Sequence, residues 1–220
     1  LYFSSGYAAN LGVLATFPEA DDVVFSDALN HASLIDGVRL SKARRVVFPH
    51  GDAGALGRLI AEHECRGQRF IVTESVFSMD GDTAPLAAYA ALCRDSGAAL
   101  IVDEAHATGL YGPRGSGCVE ELGLRGRVLA TIHTGGKALG SGGAWVAGSR
   151  ALRDVMVNRA RSFIFSTAPL PVLAASLGAG LDVIAREPLR RREVHRKSAF
   201  LRQALRERGV HAGGESPIVP

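Results

Sequence analysis

Short apolar runs alternate with amphipathic stretches along the first two thirds of the chain. The runs have the length of buried β-strands, and the stretches between them have the apolar spacing of helices. Strands are predicted at residues 23–26, 45–48, 70–73, 99–102, 128–133 and 144–147, and helices at residues 7–16, 32–41, 53–65 and 86–96. This alternation favours an α/β fold in which a mostly parallel sheet lies between helices and ligands bind where strands end.

The last third of the chain has a different pattern. Residues 149–162 and 168–186 are predicted to be helices on either side of a short run, and residues 187–209 form a highly charged stretch. Arginine is in excess in that stretch, as it is in nucleic-acid-binding segments, but acidic residues interrupt it. We therefore expect a long connecting helix with a solvated face and no nucleic-acid partner.

Two glycines near the carboxyl end indicate a change of domain. Gly213 and Gly214 predict a hinge into a strand of a second domain. We expect a large domain over residues 1–186, followed by a linking helix and the start of a smaller C-terminal domain over residues 187–220. The chain begins without Met in a structured-looking segment, so we also expect it to be a piece of a longer protein.

The composition excludes several classes of protein. The chain has 220 residues, 47% of them hydrophobic, which excludes a disordered chain. Its net charge of +3 is too small to indicate a polyanionic partner. Three widely spaced cysteines without a CxxC pair support neither a disulfide framework nor a cysteine zinc site, so we expect no metal and a reducing, cytoplasmic location.

The longest apolar stretch covers residues 168–185. It contains Pro169, Pro171 and Asp182, so it predicts a buried helix and not a membrane span. No segment has the pattern of a signal peptide. We therefore expect no membrane association.

Lysine is rare in this chain. Of 25 basic residues only Lys42, Lys137 and Lys197 are lysines, and the other 22 are arginines. Lys42 and Lys197 stand beside other basic residues, as expected for solvated ammonium groups. Lys137 instead follows an apolar strand and is surrounded by glycines, which let a backbone approach a ligand closely. A lysine in such a turn either binds phosphate as a point charge or bonds covalently to a carbonyl cofactor.

The phosphate alternative is a nucleotide-binding P-loop. The string Val-Asp-Glu-Ala-His at residues 102–106 is typical of the acidic motif of helicases. However, Thr131 occupies the first glycine position of the P-loop pattern, and Ala138 replaces the hydroxyl residue that binds Mg²⁺. The acidic motif also precedes the lysine, which is the wrong order, so an NTPase is disfavoured.

The covalent alternative fits more residues, because pyridoxal phosphate (PLP) needs a lysine, a carboxylate for its ring nitrogen and donors for its phosphate. Asp103 closes a predicted strand and His106 follows three residues later, while Thr134 lies three residues before Lys137. The segment Ser5-Gly6-Tyr7 opens the first helix, whose free amides suit a phosphate. Each feature alone also has an ordinary structural explanation, such as a helix cap or a core histidine. Their combination in this order favours PLP.

Six segments match a known family in order and spacing. They are SSGYAANLGVL (4–14), NHASLIDG (30–37), TESVFSMDGDTAPL (73–86), VDEAHATGLYGPRGSG (102–117), HTGGKALGSGGAW (133–145) and FIFSTAPLP (163–171). The chain resembles the α-oxoamine synthases, which are PLP-dependent transferases of the aspartate aminotransferase fold, fold type I. The resemblance implies an acyltransferase that condenses an amino acid with an acyl thioester (acyl-CoA or acyl-ACP) and releases CO₂.

Within the family, the spellings SGYAAN, HATG and STAPLP are most similar to the branch that joins L-alanine to pimeloyl-CoA or pimeloyl-ACP in biotin biosynthesis. The 5-aminolevulinate synthases, 2-amino-3-ketobutyrate CoA ligases and serine palmitoyltransferases share much of this text and remain alternatives. A fold type I aminotransferase remains a further alternative. A non-catalytic product is another, because we expect the chain to lack the family's N-terminal segment and most of its small domain.

The resemblance also implies roles for residues around the cofactor ring. Lys137 would hold PLP covalently and act as the general base, and Asp103 would pair with the ring nitrogen. His31 would stack on the ring face, although a helix cap after Asn30 explains it equally well from sequence alone. Ser78 and His106 would contact the ring oxygen.

Other roles concern the phosphate and the substrate. Thr134 and the amides of Gly6 and Tyr7 would bind the phosphate. Ser166-Thr167 would reach the phosphate of a neighbouring subunit, because family members are homodimers with shared sites. Glu74 is a candidate for the substrate side. Gly135-Gly136 departs from the family pattern, which has a bulky residue before the Gly-Lys pair.

Overall fold

The computed structural model describes all residues, 1–220, as seven strands and nine helices. The strands are β1 (Tyr2–Phe3), β2 (Val23–Asp27), β3 (Arg44–Phe48), β4 (Arg69–Glu74), β5 (Ala99–Asp103), β6 (Ala130–Thr134) and β7 (Ala144–Gly148). The helices are α1 (Gly6–Leu14), α2 (Ala32–Leu40), α3 (Ala53–Glu62), α4 (Leu86–Ser96), α5 (Cys118–Glu121), α6 (Arg150–Arg159), α7 (Arg161–Ile164), α8 (Pro171–Arg186) and α9 (Pro188–Glu207).

All seven strands form one sheet with the order β1-β7-β6-β5-β4-β2-β3. The five strands from β6 to β3 are parallel. At the β1 edge, β7 pairs antiparallel with β6, and β1 pairs antiparallel with β7. The parallel strands therefore bring their carboxyl ends to one edge, which is where ligands bind in sheets of this kind. The mostly parallel α/β sheet predicted from sequence is confirmed.

Each face of the sheet is covered by its own apolar core. One core packs α3, α4 and α5 against alternate strand residues such as Phe25 and Leu100. The other packs α1, α2 and α6 against the intervening residues, such as Val24 and Ile101. Successive side chains of a strand point to opposite faces, so the continuous apolar runs of the sequence serve both cores.

The predicted strands all form, and polar residues extend several of them. Glu74 and Asp103 are the last residues of their strands, one position beyond the predicted ends. The two-residue β1 and the four-residue helices α5 and α7 were not predicted, because elements this short carry no periodic signal. The helix expected over 149–162 is broken at Ala160, whose backbone is extended. This break lets Phe163 pack edge-on against Phe3, with ring centroids 5.6 Å apart.

Helix α8 corrects one expectation. The apolar stretch of residues 168–185 was expected to be a buried helix, but Leu177 is the only buried residue of α8. The helix contacts the rest of the molecule along one side, through the glycine-rich segment 135–142 and Gly109. Leu173 and Ile184 are half-buried on that side, whereas Val172, Leu181 and Val183 remain exposed.

The carboxyl-terminal residues 210–220 have no regular secondary structure, and the second domain expected to follow Gly213-Gly214 stays a prediction. Arg202 of α9 donates to the backbone oxygens of Ser216 and Ile218, at 2.6 and 2.9 Å. The preceding α9 is the long helix with a solvated face that the sequence predicts.

No helix in the molecule combines the length and the apolar character needed to cross a membrane.

Candidate active site

Three neighbouring strands end in polar residues that face the same region. Glu74 ends β4, Asp103 ends β5 and Thr134 ends β6, and the first two are directly paired in the ladder. Burial, reinforced by the charge of Asp103, raises the pKa of Glu74 to about 8. The raised pKa favours the protonated form of Glu74, which reduces the repulsion between the two carboxyl groups at the paired strand ends.

Lys137 lies over these strand ends and contacts His106. The Lys137 Nζ is 2.7 Å from the His106 Nε2. Burial, followed by the charges of Lys137 and His31, lowers the pKa of His106 to about 4, so the imidazole is neutral and accepts a hydrogen bond. Burial also lowers the pKa of the Lys137 ammonium, against the opposing charges of Asp103 and Glu74. A lysine with a lowered pKa is a better nucleophile and base than a solvated one.

Asp103 is held rigidly by donors from two elements. Its Oδ2 accepts from the Asn10 side chain of α1 at 2.7 Å, and its Oδ1 accepts from the backbone N–H of Ala105 at 2.8 Å. Asp103 and Asn10 are both buried. The carboxylate thus has a fixed orientation at the strand end. Asn10 lies in the SGYAAN motif, and no role was predicted for it from the sequence.

His31 is the N-cap residue of α2. Its Nδ1 accepts from the Ser33 backbone N–H at 3.2 Å, which is the helix-cap explanation considered for it from sequence. Its own backbone N–H donates to Glu74 Oε1 at 2.6 Å. The imidazole is exposed and is fixed by the helix start next to the strand ends. Capping and contact with a ligand are therefore compatible at this position.

A second group of residues surrounds the amino end of α1. Ser5 caps this nine-residue helix by accepting from Ala8 N at 3.1 Å, and Gly6 is its first residue. A side-chain carbon placed on Gly6 would lie 3.8 Å from the Thr134 Cβ, so the helix end and the Thr134 hydroxyl adjoin. The Thr134 Oγ1 also accepts from Gly136 N at 3.4 Å. Backbone N–H groups at a helix start together with a hydroxyl suit a phosphate.

Three residues with predicted contacts, Ser78, Ser166 and Thr167, form no hydrogen bond to the residues of this region. Ser78 lies in a turn over residues 78–80 and bonds to no site residue, and Ser166 and Thr167 are exposed between α7 and α8. Tyr7 directs its hydroxyl to Asp36 of α2, so only its backbone adjoins the Thr134 region. The roles assigned to these residues by resemblance stay predictions.

Close packing explains why Gly135 departs from the family pattern. A side-chain carbon on Gly135 would lie 2.6 Å from the Gly142 oxygen and 2.8 Å from the Leu177 Cδ1. Leu177 is the buried residue of α8 and occupies the space next to Gly135. The departure therefore allows α8 to pack closely on the segment that carries Lys137.

The donor set fits PLP in its chemistry. Lys137 supplies an amine for the aldehyde, and the oriented carboxylate of Asp103 supplies the partner for a protonated ring nitrogen. Thr134 and the first amides of α1 supply neutral donors for a phosphate. All three lysines are exposed, but only Lys137 forms a side-chain contact with a residue of this group, His106.

Comparison with known proteins agrees with this chemistry. The aminotransferase class I and II family matches residues 1–220. The chain belongs to this family. It is 49% identical over its whole length to the 8-amino-7-oxononanoate synthase of Geobacter sulfurreducens and 43% identical to that of Lysinibacillus sphaericus. It spans 57% of the length of each of these relatives.

Solved structures of the same fold are similar to the chain. A Sphingomonas wittichii serine palmitoyltransferase matches 99% of the chain with a TM-score of 0.94 at 31% identity, and the chain covers 54% of it. A Francisella tularensis 8-amino-7-oxononanoate synthase matches 98% with a TM-score of 0.82 at 29% identity, and 62% of it is covered. These relatives are α-oxoamine synthases, so the family, the fold type I architecture and the PLP cofactor expected from sequence are confirmed.

Proposed function

We propose that the protein is the PLP-binding part of an 8-amino-7-oxononanoate synthase. In the proposed reaction L-alanine and a pimeloyl thioester give 8-amino-7-oxononanoate, CO₂ and the free thiol carrier. The observation that carries the proposal is the contact between Lys137 and a neutral His106 above the oriented carboxylate of Asp103. The 49% identity to a curated synthase of that name supports the choice of reaction.

Each residue of the site has a defined task in this reaction. When bound, PLP withdraws electrons from the α-carbon of the amino acid and so acidifies its hydrogen. Lys137 Nζ takes that proton and later returns it, which requires an amine that loses its own proton near neutral pH. Burial lowers the pKa of Lys137 in the required direction. Asp103 would keep a proton on the ring nitrogen of bound PLP by accepting its hydrogen bond.

Other residues would bind PLP or orient the Lys137 amine. His106 Nε2 accepts from Lys137 Nζ and so fixes the direction of the amine. Thr134 and the amides of Gly6 and Tyr7 would hold the phosphate, and His31 would cover the ring face. Protonated Glu74 lies beside Asp103 and can donate a hydrogen bond to a substrate oxygen.

We also propose a homodimer and a cytoplasmic location. Phe165, Leu170 and Val172 form an exposed apolar strip beside Ser166 and Thr167, which supports the expectation that these two residues reach a second subunit. The three cysteines are free, which supports a reducing compartment. Residues 1–186 would be the large domain of the full protein and residues 187–220 the link to a smaller one.

A product assay tests the proposed reaction. The chain is incubated with PLP, an amino acid (alanine, glycine or serine) and pimeloyl-CoA or pimeloyl-ACP, and thiol release and the product mass are followed. We expect 8-amino-7-oxononanoate with alanine and no product from Lys137→Ala. Selection of glycine, or amino-group exchange without a thioester, would contradict the proposal.

A serine palmitoyltransferase is the second candidate. The specific observation in its favour is the higher TM-score, 0.94 against 0.82. The sequence identities point the other way, at 31% for that structure and 49% for the synthase of Geobacter sulfurreducens. Serine with palmitoyl-CoA in the same assay separates the two reactions.

A further inference from the structure

A chain of hydrogen bonds connects Asp103 to His31, although these residues lie on different elements. The Asn10 Nδ2 donates to Asp103 Oδ2 at 2.7 Å and to Ser33 Oγ at 2.8 Å. The Ser33 Oγ is in turn 2.7 Å from the His31 Nδ1. Asn10 and Ser33 are each 1% exposed, so water does not compete for these bonds. We call these two residues the α1–α2 relay.

The direction of each bond in the relay follows from the chemistry of Asn10. Its amide nitrogen only donates, and the carboxylate of Asp103 only accepts, so the nitrogen must face Asp103. A flipped amide would place its oxygen against the carboxylate oxygen. The Asn10 Oδ1 is left buried without a partner, which is the structural consequence of using both hydrogens on the other side.

The bond from Asn10 also determines where the hydroxyl hydrogen of Ser33 points. Its oxygen accepts from Asn10, so its hydroxyl hydrogen is free to point at His31 Nδ1. That nitrogen also accepts the Ser33 backbone N–H at 3.2 Å. With two donors directed at it, the Nδ1 of an uncharged ring carries no hydrogen, and the single ring hydrogen of that form lies on Nε2. His31 therefore presents an N–H group to the region above the strand ends.

We infer that Asn10 is a positioning residue that fixes the Asp103 carboxylate and, through Ser33, the Nε2–H form of His31. This inference rests on the proposed function only in giving Asp103 and His31 contacts with PLP. Ser33 then controls His31 alone, whereas Asn10 controls both residues. The Asn10 amide thus fixes both Asp103, expected at the edge of the PLP ring, and His31, expected at its face.

Nitrogen NMR of the cofactor-free chain tests the relay without using activity. In the wild type we expect the His31 Nδ1 signal at the position of an unprotonated ring nitrogen and the Nε2 signal at that of a protonated one. Ser33→Ala removes the hydroxyl donor, and Asn10→Leu removes the bond that directs it. Both variants are expected to move the two nitrogen signals toward each other, as in a mixture of tautomers.

Measurements of PLP affinity distinguish the roles of the two relay residues, Asn10 and Ser33. Asn10→Leu releases Asp103 and is expected to weaken PLP binding about tenfold, in the range seen when the partner of a ligand-binding group is lost. Ser33→Ala keeps the bond between Asn10 and Asp103 and is expected to change PLP binding less than threefold. Asn158→Leu, at an exposed amide that bonds only to Asp154 O, is the matched control and should match wild type in both measurements.

The outcomes distinguish this inference from the proposed function. His31 nitrogen signals that are the same in wild type and Ser33→Ala would overturn the relay, whatever the chain catalyses. Ser33→Ala is the milder change and keeps the test usable if Asn10→Leu does not fold. Shifted signals together with a wild type that binds no PLP would confirm the relay and contradict the proposed function.

Discussion

The carboxylates of Asp103 and Glu104, adjacent in sequence, bind elements on opposite faces of the sheet. Asp103 accepts from Asn10 of α1 at 2.7 Å. Glu104 accepts from Ser75 Oγ at 2.7 Å and from the backbone N–H groups of Cys118 and Val119, at 3.0 and 2.7 Å. The first carboxylate is held at the edge where the strand-end residues meet. The second fixes both ends of the loop that carries His106.

Gly117 is required by the contacts of Glu104. Its φ is +122°, and a side-chain carbon on it would lie 2.5 Å from the Glu104 Oε2. Gly117→Ala is therefore expected to lower the free energy of unfolding by about 3 kcal/mol, through backbone strain and displacement of the carboxylate. Urea unfolding followed by circular dichroism measures this.

Gly126 provides the matched control for that substitution. Its φ is +78°, but no atom lies within 4 Å of the added carbon. Gly126→Ala should lower the free energy of unfolding by only about 1 kcal/mol, from the backbone alone. Equal losses at the two positions would show that Glu104 exerts no constraint on Gly117.

Residues at strand ends or in compact motifs could be proposed as site candidates from the sequence, and their roles stay predictions. Lys137, His106 and Asp103 lie within short segments, and the parallel sheet brings such segments to one edge. Asn10 and Ser33 were missed because their partners are fixed by the packing of α1 on α2, which no local pattern encodes. The exposure of α8 was missed for a related reason, since apolar composition does not show whether a partner surface exists.

Lys137→Arg tests the nature of the contact with PLP. Arginine keeps a positive charge beside His106 but cannot bond covalently to an aldehyde. After incubation with PLP and reduction with borohydride, we expect the wild-type chain to gain one PLP mass on Lys137 and the variant to gain none. Modification of the variant at Lys42 or Lys197 to the same extent as wild type would contradict the assignment. Mass spectrometry of tryptic peptides identifies the site.

Tyr89 carries a hydroxyl group that the fold does not use. The side chain is fully buried against Phe48, and its oxygen has no hydrogen-bond partner. Tyr89→Phe keeps the ring and removes the unsatisfied group, so we expect a gain of about 1 kcal/mol in the free energy of unfolding. Tyr2→Phe is the control, because the Tyr2 hydroxyl donates to Gly142 O at 3.2 Å and its removal should be destabilising. A loss of stability in Tyr89→Phe would contradict this prediction.

His50 joins three segments near the strand ends. Its Nδ1 is 2.8 Å from Asp27 Oδ1 at the end of β2, and its Nε2 is 2.6 Å from Asp82 Oδ2 after the turn that contains Ser78. Burial alone lowers the pKa of His50, but the bonds and charges of Asp27 and Asp82 outweigh it, so the pKa lies above the ordinary value of 6.5. The charged imidazolium can donate to both carboxylates at once.

This arrangement predicts a pH dependence of stability with a definite sign. Because the pKa is higher in the folded state, the charged form stabilises the fold fully below the unfolded pKa of about 6.5, and the contribution is lost as pH rises through the folded-state value. His50→Gln should therefore lower the free energy of unfolding by about 2 kcal/mol at pH 6, with a smaller loss at pH 9. Urea unfolding at both pH values measures the difference, with His211→Gln as the exposed control. A loss that grows with pH would show that His50 is neutral between the two carboxylates.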